Sequence, residues 1–134
     1  MQKKILILED EKELASLYAK FLKANGYDPV LAFDGIEGLE RLKEMTPDLI
    51  LLDLSMPNMG GVGFYQQLCG AEGKPRFPIL VLTGRMDLER VFKDLLIDGL
   101  LLKPFEKSHL LKEVETIINK HCGKHEMILH ENHR

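Results

Sequence analysis

The sequence predicts a doubly wound α/β fold, a parallel five-stranded sheet covered on both faces by five helices. Three observations predict it. Short apolar runs alternate with amphipathic helical stripes from Ile5 to Ile118. The runs are continuous rather than alternating, as strands buried on both faces require. The length, 134 residues with 45% hydrophobic content, suffices for one domain with a substantial core and leaves no room for a second of ordinary size.

Each element follows in order. Ile5 to Leu8 reads as a buried strand. Leu14, Leu17, Tyr18, Phe21 and Leu22 recur at helical spacing, and Gly26 is placed to stop that helix. Val30 to Phe33 is a short second strand. Ile36, Leu39 and Leu42 mark a second helix, with Pro47 beyond its end. Leu49 to Leu52 is the third and most apolar strand. Val62, Tyr65 and Leu68 form a helical stripe interrupted by glycines. Ile79 to Leu82, after Pro78, is the fourth strand, and Leu88, Val91, Phe92 and Leu95 mark a fourth helix. Leu100 to Leu102 is a short fifth strand. Leu110, Leu111, Val114, Ile117 and Ile118 give a clear fifth helix. A domain over residues 1–121 is expected, followed by a polar tail over 122–134 that is extended or frayed.

In open α/β sheets, ligands bind beyond the carboxyl ends of the strands. Those ends carry Glu9 and Asp10 after the first strand, Asp53 after the third, Thr83 and Gly84 after the fourth, and Lys103 and Pro104 after the fifth. Singly, each has a structural explanation: Asp10 as an N-cap, Glu9 as a first-turn acid, Asp53 as a turn former, Thr83 as a cap, Lys103 as a solvated lysine. Their joint appearance at one edge weighs against that set of explanations. Two like charges about 4 Å apart repel by about 4 kcal/mol at an effective dielectric of about 20. Three clustered carboxylates would raise their pKa values or recruit a cation. Hard oxygen ligands in an open geometry suit Mg²⁺ and make a poor zinc site. A magnesium ion and a lysine around one exposed aspartate suit phosphoryl transfer, with the carboxylate as nucleophile forming an acyl phosphate.

The bulk properties narrow the classes. Net charge is −3 with both signs mixed along the chain, which argues against a dedicated nucleic-acid or anionic-membrane surface. Cys69 and Cys122 are too few for a disulfide framework. The apolar stretch near the N-terminus, Ile5 to Leu8, is shorter than a signal-peptide core and is followed at once by acids. No run is long enough to span a membrane. A cytoplasmic location is expected.

Four pieces, ILILEDE (Ile5 to Glu11), DLILLDLSMPNMGG (Asp48 to Gly61), ILVLTG (Ile79 to Gly84) and DGLLLKPF (Asp98 to Phe105), resemble the receiver domains of two-component response regulators, in the stand-alone form used in chemotaxis. The resemblance covers residues 3 to 121 in the expected order. It implies a flavodoxin-like sheet of order 2-1-3-4-5. It implies that Asp53 accepts a phosphoryl group from a phosphohistidine. Asp10 would hold Mg²⁺ directly and Glu9 through water, with Asp53 and the backbone carbonyl of Ser55 as further ligands. Thr83 would hydrogen-bond one phosphoryl oxygen and Lys103 would pair with another. In the family the Lys-Pro peptide is cis. The implied partners are a sensor histidine kinase or histidine phosphotransfer protein and a downstream protein read at the fourth helix, fifth strand and fifth helix. No direct nucleic-acid or membrane contact is expected, and the chain would be a monomer or a phosphorylation-dependent dimer. It would not be a turnover enzyme, although autodephosphorylation is expected.

One departure stands out. Many receivers carry Tyr or Phe three residues before the lysine, and here that position is Leu100. A leucine cannot couple to Thr83 in the usual way, which questions the output route rather than the phosphoryl chemistry. Ser55 and Arg85 occupy positions that tune phosphoryl lifetime in the family, and Arg85 either reaches the phosphoryl group or lies in solvent. His121, Cys122, His125, His130 and His133 fit no standard metal-site spacing and read as a polar extension. The main alternative is a receiver-like binding module that signals without phosphorylation. An aspartyl-phosphate phosphatase would need an acid where Ser55 stands. A flavodoxin-like cofactor binder would need a phosphate loop where Glu9 and Asp10 stand.

Overall fold

The computed structural model describes residues 2–53, 61–69, 73, 75–84 and 96–132, with backbone only at 61, 62 and 122–132. One sheet contains β1 (Lys4–Leu8), β2 (Asp28–Ala32), β3 (Leu49–Asp53), β4 (Ile79–Thr83) and β5 (Gly99–Leu102), all parallel, in the order β2-β1-β3-β4-β5. Among the described residues the helices are α1 (Lys12–Ala24), α2 (Gly35–Glu44), α3 (Gly61–Leu68) and α4 (Lys107–Asn132). The fourth helix expected around Leu88 to Leu95 lies outside the described residues. The expected fifth helix is α4.

The pleat divides the apolar strands between two cores. Ile5, Ile7, Leu49, Leu51, Leu80 and Leu82 face Tyr18 and Leu22 of α1 and Leu110, Val114, Ile117 and Ile118 of α4. Leu6, Leu8, Ile50, Leu52, Ile79 and Val81 face Phe64, Tyr65 and Leu68 of α3, with Leu39 and Leu42 of α2 packed at the border. Alternate residues of one strand thus feed opposite layers. This is why β3 and β4, buried along their whole length, read as unbroken aliphatic runs.

Local chemistry sets the ends. Asn25 caps α1, and Gly26 follows at φ +92°, a conformation that favours glycine. The N-cap of α1 is Glu11, with no side-chain cap bond, so the purely structural explanation of Asp10 as an N-cap does not hold. Asp34 caps α2 by accepting from the Glu37 N–H at 2.8 Å. The second strand starts earlier than expected, at Asp28 rather than Val30, and includes Pro29. Among the described residues β2 is an edge strand bonded only to β1, and an edge accommodates a residue without an N–H. The segment expected as an extended or frayed tail instead continues α4 to Asn132. It contains no proline, and Lys124, Glu126, Met127 and Leu129 are strong helix formers. Extending a helix needs no new nucleus, which outweighs the roughly 1 kcal/mol cost of Gly123.

Gly38 is where α2 comes closest to its neighbours. A Cβ there would lie 2.7 Å from Leu8 Cδ2 and 2.8 Å from Phe64 Cε1, and both side chains are fully buried. Gly38→Ala gains about 1 kcal/mol of helix propensity but overpacks the core at a typical cost of about 1–3 kcal/mol. The expected result is a lower urea midpoint with an unchanged m-value. A raised midpoint would contradict the close packing of α2 on β1 and α3.

Candidate functional site

Parallel strands bring their carboxyl ends to one edge, and register determines which residues meet there. Leu8 pairs with Leu52, so Glu9 follows β1 beside Asp53, the last residue of β3. Asp53 pairs with Leu82, and Thr83 with Leu102, so Lys103 follows β5 next to the tip of β4. The Lys103 N–H donates to the Thr83 carbonyl at 2.7 Å, fixing the start of the loop that carries the lysine. The Lys103–Pro104 peptide is cis.

Glu9, Asp10 and Asp53 come together, each offering a carboxylate oxygen within 4.8 Å of the others. Glu9 and Asp53 are buried and Asp10 is exposed, so the cluster has a protein side and a solvent side. The Lys103 ammonium reaches in from β5 and donates to Asp53 Oδ2 at 2.8 Å, with Glu9 Oε1 farther off at 3.5 Å. Among the described residues, Glu9 Oε2 is buried and has no hydrogen-bond partner. Thr83 is fully buried at the end of β4. The structure therefore gathers Glu9, Asp10, Asp53 and Lys103 into direct proximity and puts Thr83 at the same edge. Ser55 and Arg85 lie outside the described residues.

The electrostatics follow from this arrangement. Burial, then the adjoining Asp53 carboxylate, pushes the Glu9 pKa up to about 8, against the opposing pull of Lys103. Burial alone would lower the Lys103 pKa, but the bond to Asp53 and the charges of Asp53 and Glu9 hold it above its usual value. One ammonium does not neutralise three acids, and the closer contact goes to Asp53. The donor set is all oxygen and has an orphaned buried atom at Glu9, features that fit a hard divalent cation such as Mg²⁺.

The Glu9 shift fixes the sign of a pH dependence. Its folded-state value, about 8, lies above its ordinary value of 4.5, so between these the folded chain holds more protons than the unfolded one. Without divalent cation, stability should fall as pH rises from about 5 to about 8, by an amount on the order of a few kcal/mol at most. Saturating Mg²⁺ would favour the ionised carboxylate and flatten the slope. Urea midpoints with chelator and with Mg²⁺ measure both. A metal-free midpoint that rises over this range would contradict the site's electrostatics.

Beside the cluster, Leu14, Leu17, Tyr18 and Phe21 of α1 meet Pro104, Phe105 and Leu110 around an open apolar groove of about 340 Å³, with Lys103 and Lys107 at its walls. Tyr18 stacks on Phe105 with centroids 6.0 Å apart, and burial pushes its phenol up to about 12. Sequence reasoning missed this groove. In the sequence Leu17 is one more member of the apolar stripe of α1, and its exposure appears only in the folded chain. Among the described residues no helix is long and apolar enough to cross a membrane.

Residues 5–115 match the family described as the response regulator receiver domain. The alkaline phosphatase synthesis transcriptional regulatory protein PhoP of Bacillus subtilis is 34% identical over 122 residues, covering 90% of this chain and 50% of its own. The hybrid signal transduction histidine kinase D of Dictyostelium discoideum is 37% identical over 90% of this chain but only 8% of its own. The chain thus spans half or less of these two relatives. Among solved structures, the chemotaxis response regulator CheY4 of Vibrio cholerae superposes with a TM-score of 0.78 at 28% identity, covering 87% of this chain and 99% of that one.

Proposed function

The chain belongs to the response regulator receiver domain family, and on that premise we propose that it is a phosphoacceptor switch of a two-component phosphorelay. Asp53 would take a phosphoryl group from a phosphohistidine and thereby alter the surface offered to a partner protein. The observation that most supports this reading is the 2.8 Å contact of Lys103 with Asp53 inside the three-carboxylate cluster. The contact orients one oxygen of Asp53 within the cluster, and in the proposed reaction the carboxylate attacks phosphorus. As the Asp53–phosphorus bond forms and the phosphorus–nitrogen bond of the donor breaks, the nitrogen keeps its electron pair. Lys103 would follow the negative charge from the carboxylate onto the phosphoryl oxygens, and Thr83 would donate its hydroxyl there. Glu9, Asp10 and Asp53 would hold Mg²⁺, with the Ser55 carbonyl as a further ligand. The ion supplies charge neutralisation to the transferring group.

The apolar groove beside Lys103 suits an amphipathic helix of the phosphodonor protein, laid along α1 with its histidine toward Asp53. Incubation with a small phosphodonor and Mg²⁺ should add one phosphoryl group per chain, and chelator should prevent it. Leu17→Glu should slow uptake from a phosphohistidine protein by about tenfold or more while leaving uptake from the small donor unchanged. No uptake from either donor would overturn the phosphoacceptor reading. Equal slowing from both would overturn the groove's role alone. If instead the chain signals without phosphorylation, partner affinity will be the same with and without a stable phosphoryl mimic.

A further inference from the structure

Leu100 leaves the fifth strand without the aromatic ring that would follow Thr83, yet an aromatic hydroxyl does lie on the same face of the sheet. Leu100 packs against the apolar cluster that contains Val81, Phe64 and Tyr65. The Tyr65 ring is buried there, and its phenol engages both backbone groups of one residue 31 positions away. The Leu96 N–H donates to the Tyr65 oxygen at 2.7 Å, and the Tyr65 hydroxyl reaches the Leu96 carbonyl at 3.4 Å. A neutral phenol can serve as donor and acceptor at once, and burial keeps Tyr65 neutral by pushing its pKa up. Leu96 precedes β5 and belongs to no strand or helix. Just beyond it, the Asp98 N–H donates to the Ile79 carbonyl at 2.9 Å, and the Asp98 carboxylate accepts from the Ile79 N–H at 2.9 Å. The 96–98 segment is therefore tied to α3 at one end and to β4 at the other.

This matters because of where α3 begins. Gly61, its first residue, is separated from Asp53 only by residues 54–60. The Tyr65 phenol thus links α3 to Leu96 by a contact that involves neither Thr83 nor residue 100. We propose that Tyr65 is the positioning residue that carries a change at Asp53 to the segment leading into β5, in place of an aromatic at position 100. The proposal rests on the phosphoacceptor reading of Asp53.

Tyr65→Phe keeps the ring in the core and removes only the hydroxyl. In the unphosphorylated variant, the Leu96 amide should exchange with solvent about tenfold faster than in the parent. The amides of Leu51 and Leu80 should keep their protection, showing that the fold is intact. Uptake of phosphoryl from a small donor with Mg²⁺ should match the parent. The change in exchange over residues 96–102 that phosphorylation produces in the parent should fall by at least about half in the variant. Parental protection of the Leu96 amide in the variant, or an undiminished phosphorylation response, overturns the proposal while the phosphoacceptor reading stands. Failure of the parent itself to take up phosphoryl overturns both.

Discussion

Asp53→Asn should take up no phosphoryl group from any donor, with its fold intact. The amide nearly matches the carboxylate in shape, so the end of β3 and its pairing with Leu82 are preserved. What is lost is the anionic oxygen that an acyl phosphate requires. The substitution also has a thermodynamic signature. Asp53 is one of the groups that raise Glu9, and its removal frees Lys103, now 2.8 Å from Asp53, to turn toward Glu9. Both effects lower the Glu9 pKa. The metal-free variant should therefore lose part of the decline in stability between about pH 5 and about pH 8, the part due to burial of Glu9 remaining. Phosphoryl incorporation measured on intact protein, together with urea midpoints across this range, reads both effects. Incorporation at the parental rate would remove Asp53 from the acceptor role.

Lys103→Ala should separate ion binding from chemistry. Lys103 offsets the negative charge of Glu9 and Asp53, with contacts of 3.5 and 2.8 Å. Without it the three-carboxylate cluster is more negative and its Mg²⁺ affinity should rise. The rate of phosphoryl uptake should nevertheless fall by about 10²–10³-fold, the usual cost of deleting one preorganised charge at a transition state. Without the lysine, Glu9 should also titrate higher still, since among the described residues Lys103 is the charge that lowers its pKa. Calorimetric Mg²⁺ titration beside initial uptake rates would distinguish the two effects. Tighter ion binding with slower uptake is expected. Unchanged uptake would show that the Lys103–Asp53 pair is structural only.

Much of this arrangement was legible in the sequence for identifiable reasons. A strand buried on both faces must be aliphatic throughout, so Ile5–Leu8, Leu49–Leu52 and Ile79–Leu82 identified themselves. A parallel sheet must collect its strand ends at one edge, so Glu9, Asp10, Asp53 and Lys103 could be grouped before their distances were known. Edges, ends and long-range polar contacts were less legible. The early start of β2 depends on its edge position, which Pro29 alone does not announce. The helical continuation beyond His121 depends on α4 already being formed. The Tyr65 hydroxyl and the 3.0 Å contact between His121 and Asp98 join residues far apart in sequence. In periodicity Tyr65 is simply one member of an apolar stripe, and its polar end has meaning only when α3 is packed against Leu96.

The central claim is that the strand-end cluster makes Asp53 a phosphoryl acceptor. Mass-spectrometric peptide mapping of the chain after treatment with a small phosphodonor, with and without Mg²⁺, tests it most directly. One phosphoryl group should be found with Mg²⁺, on the peptide that contains Asp53 and attached at Asp53, and none with chelator. A phosphoryl group on any other residue, or none on a chain shown to bind Mg²⁺, would contradict it.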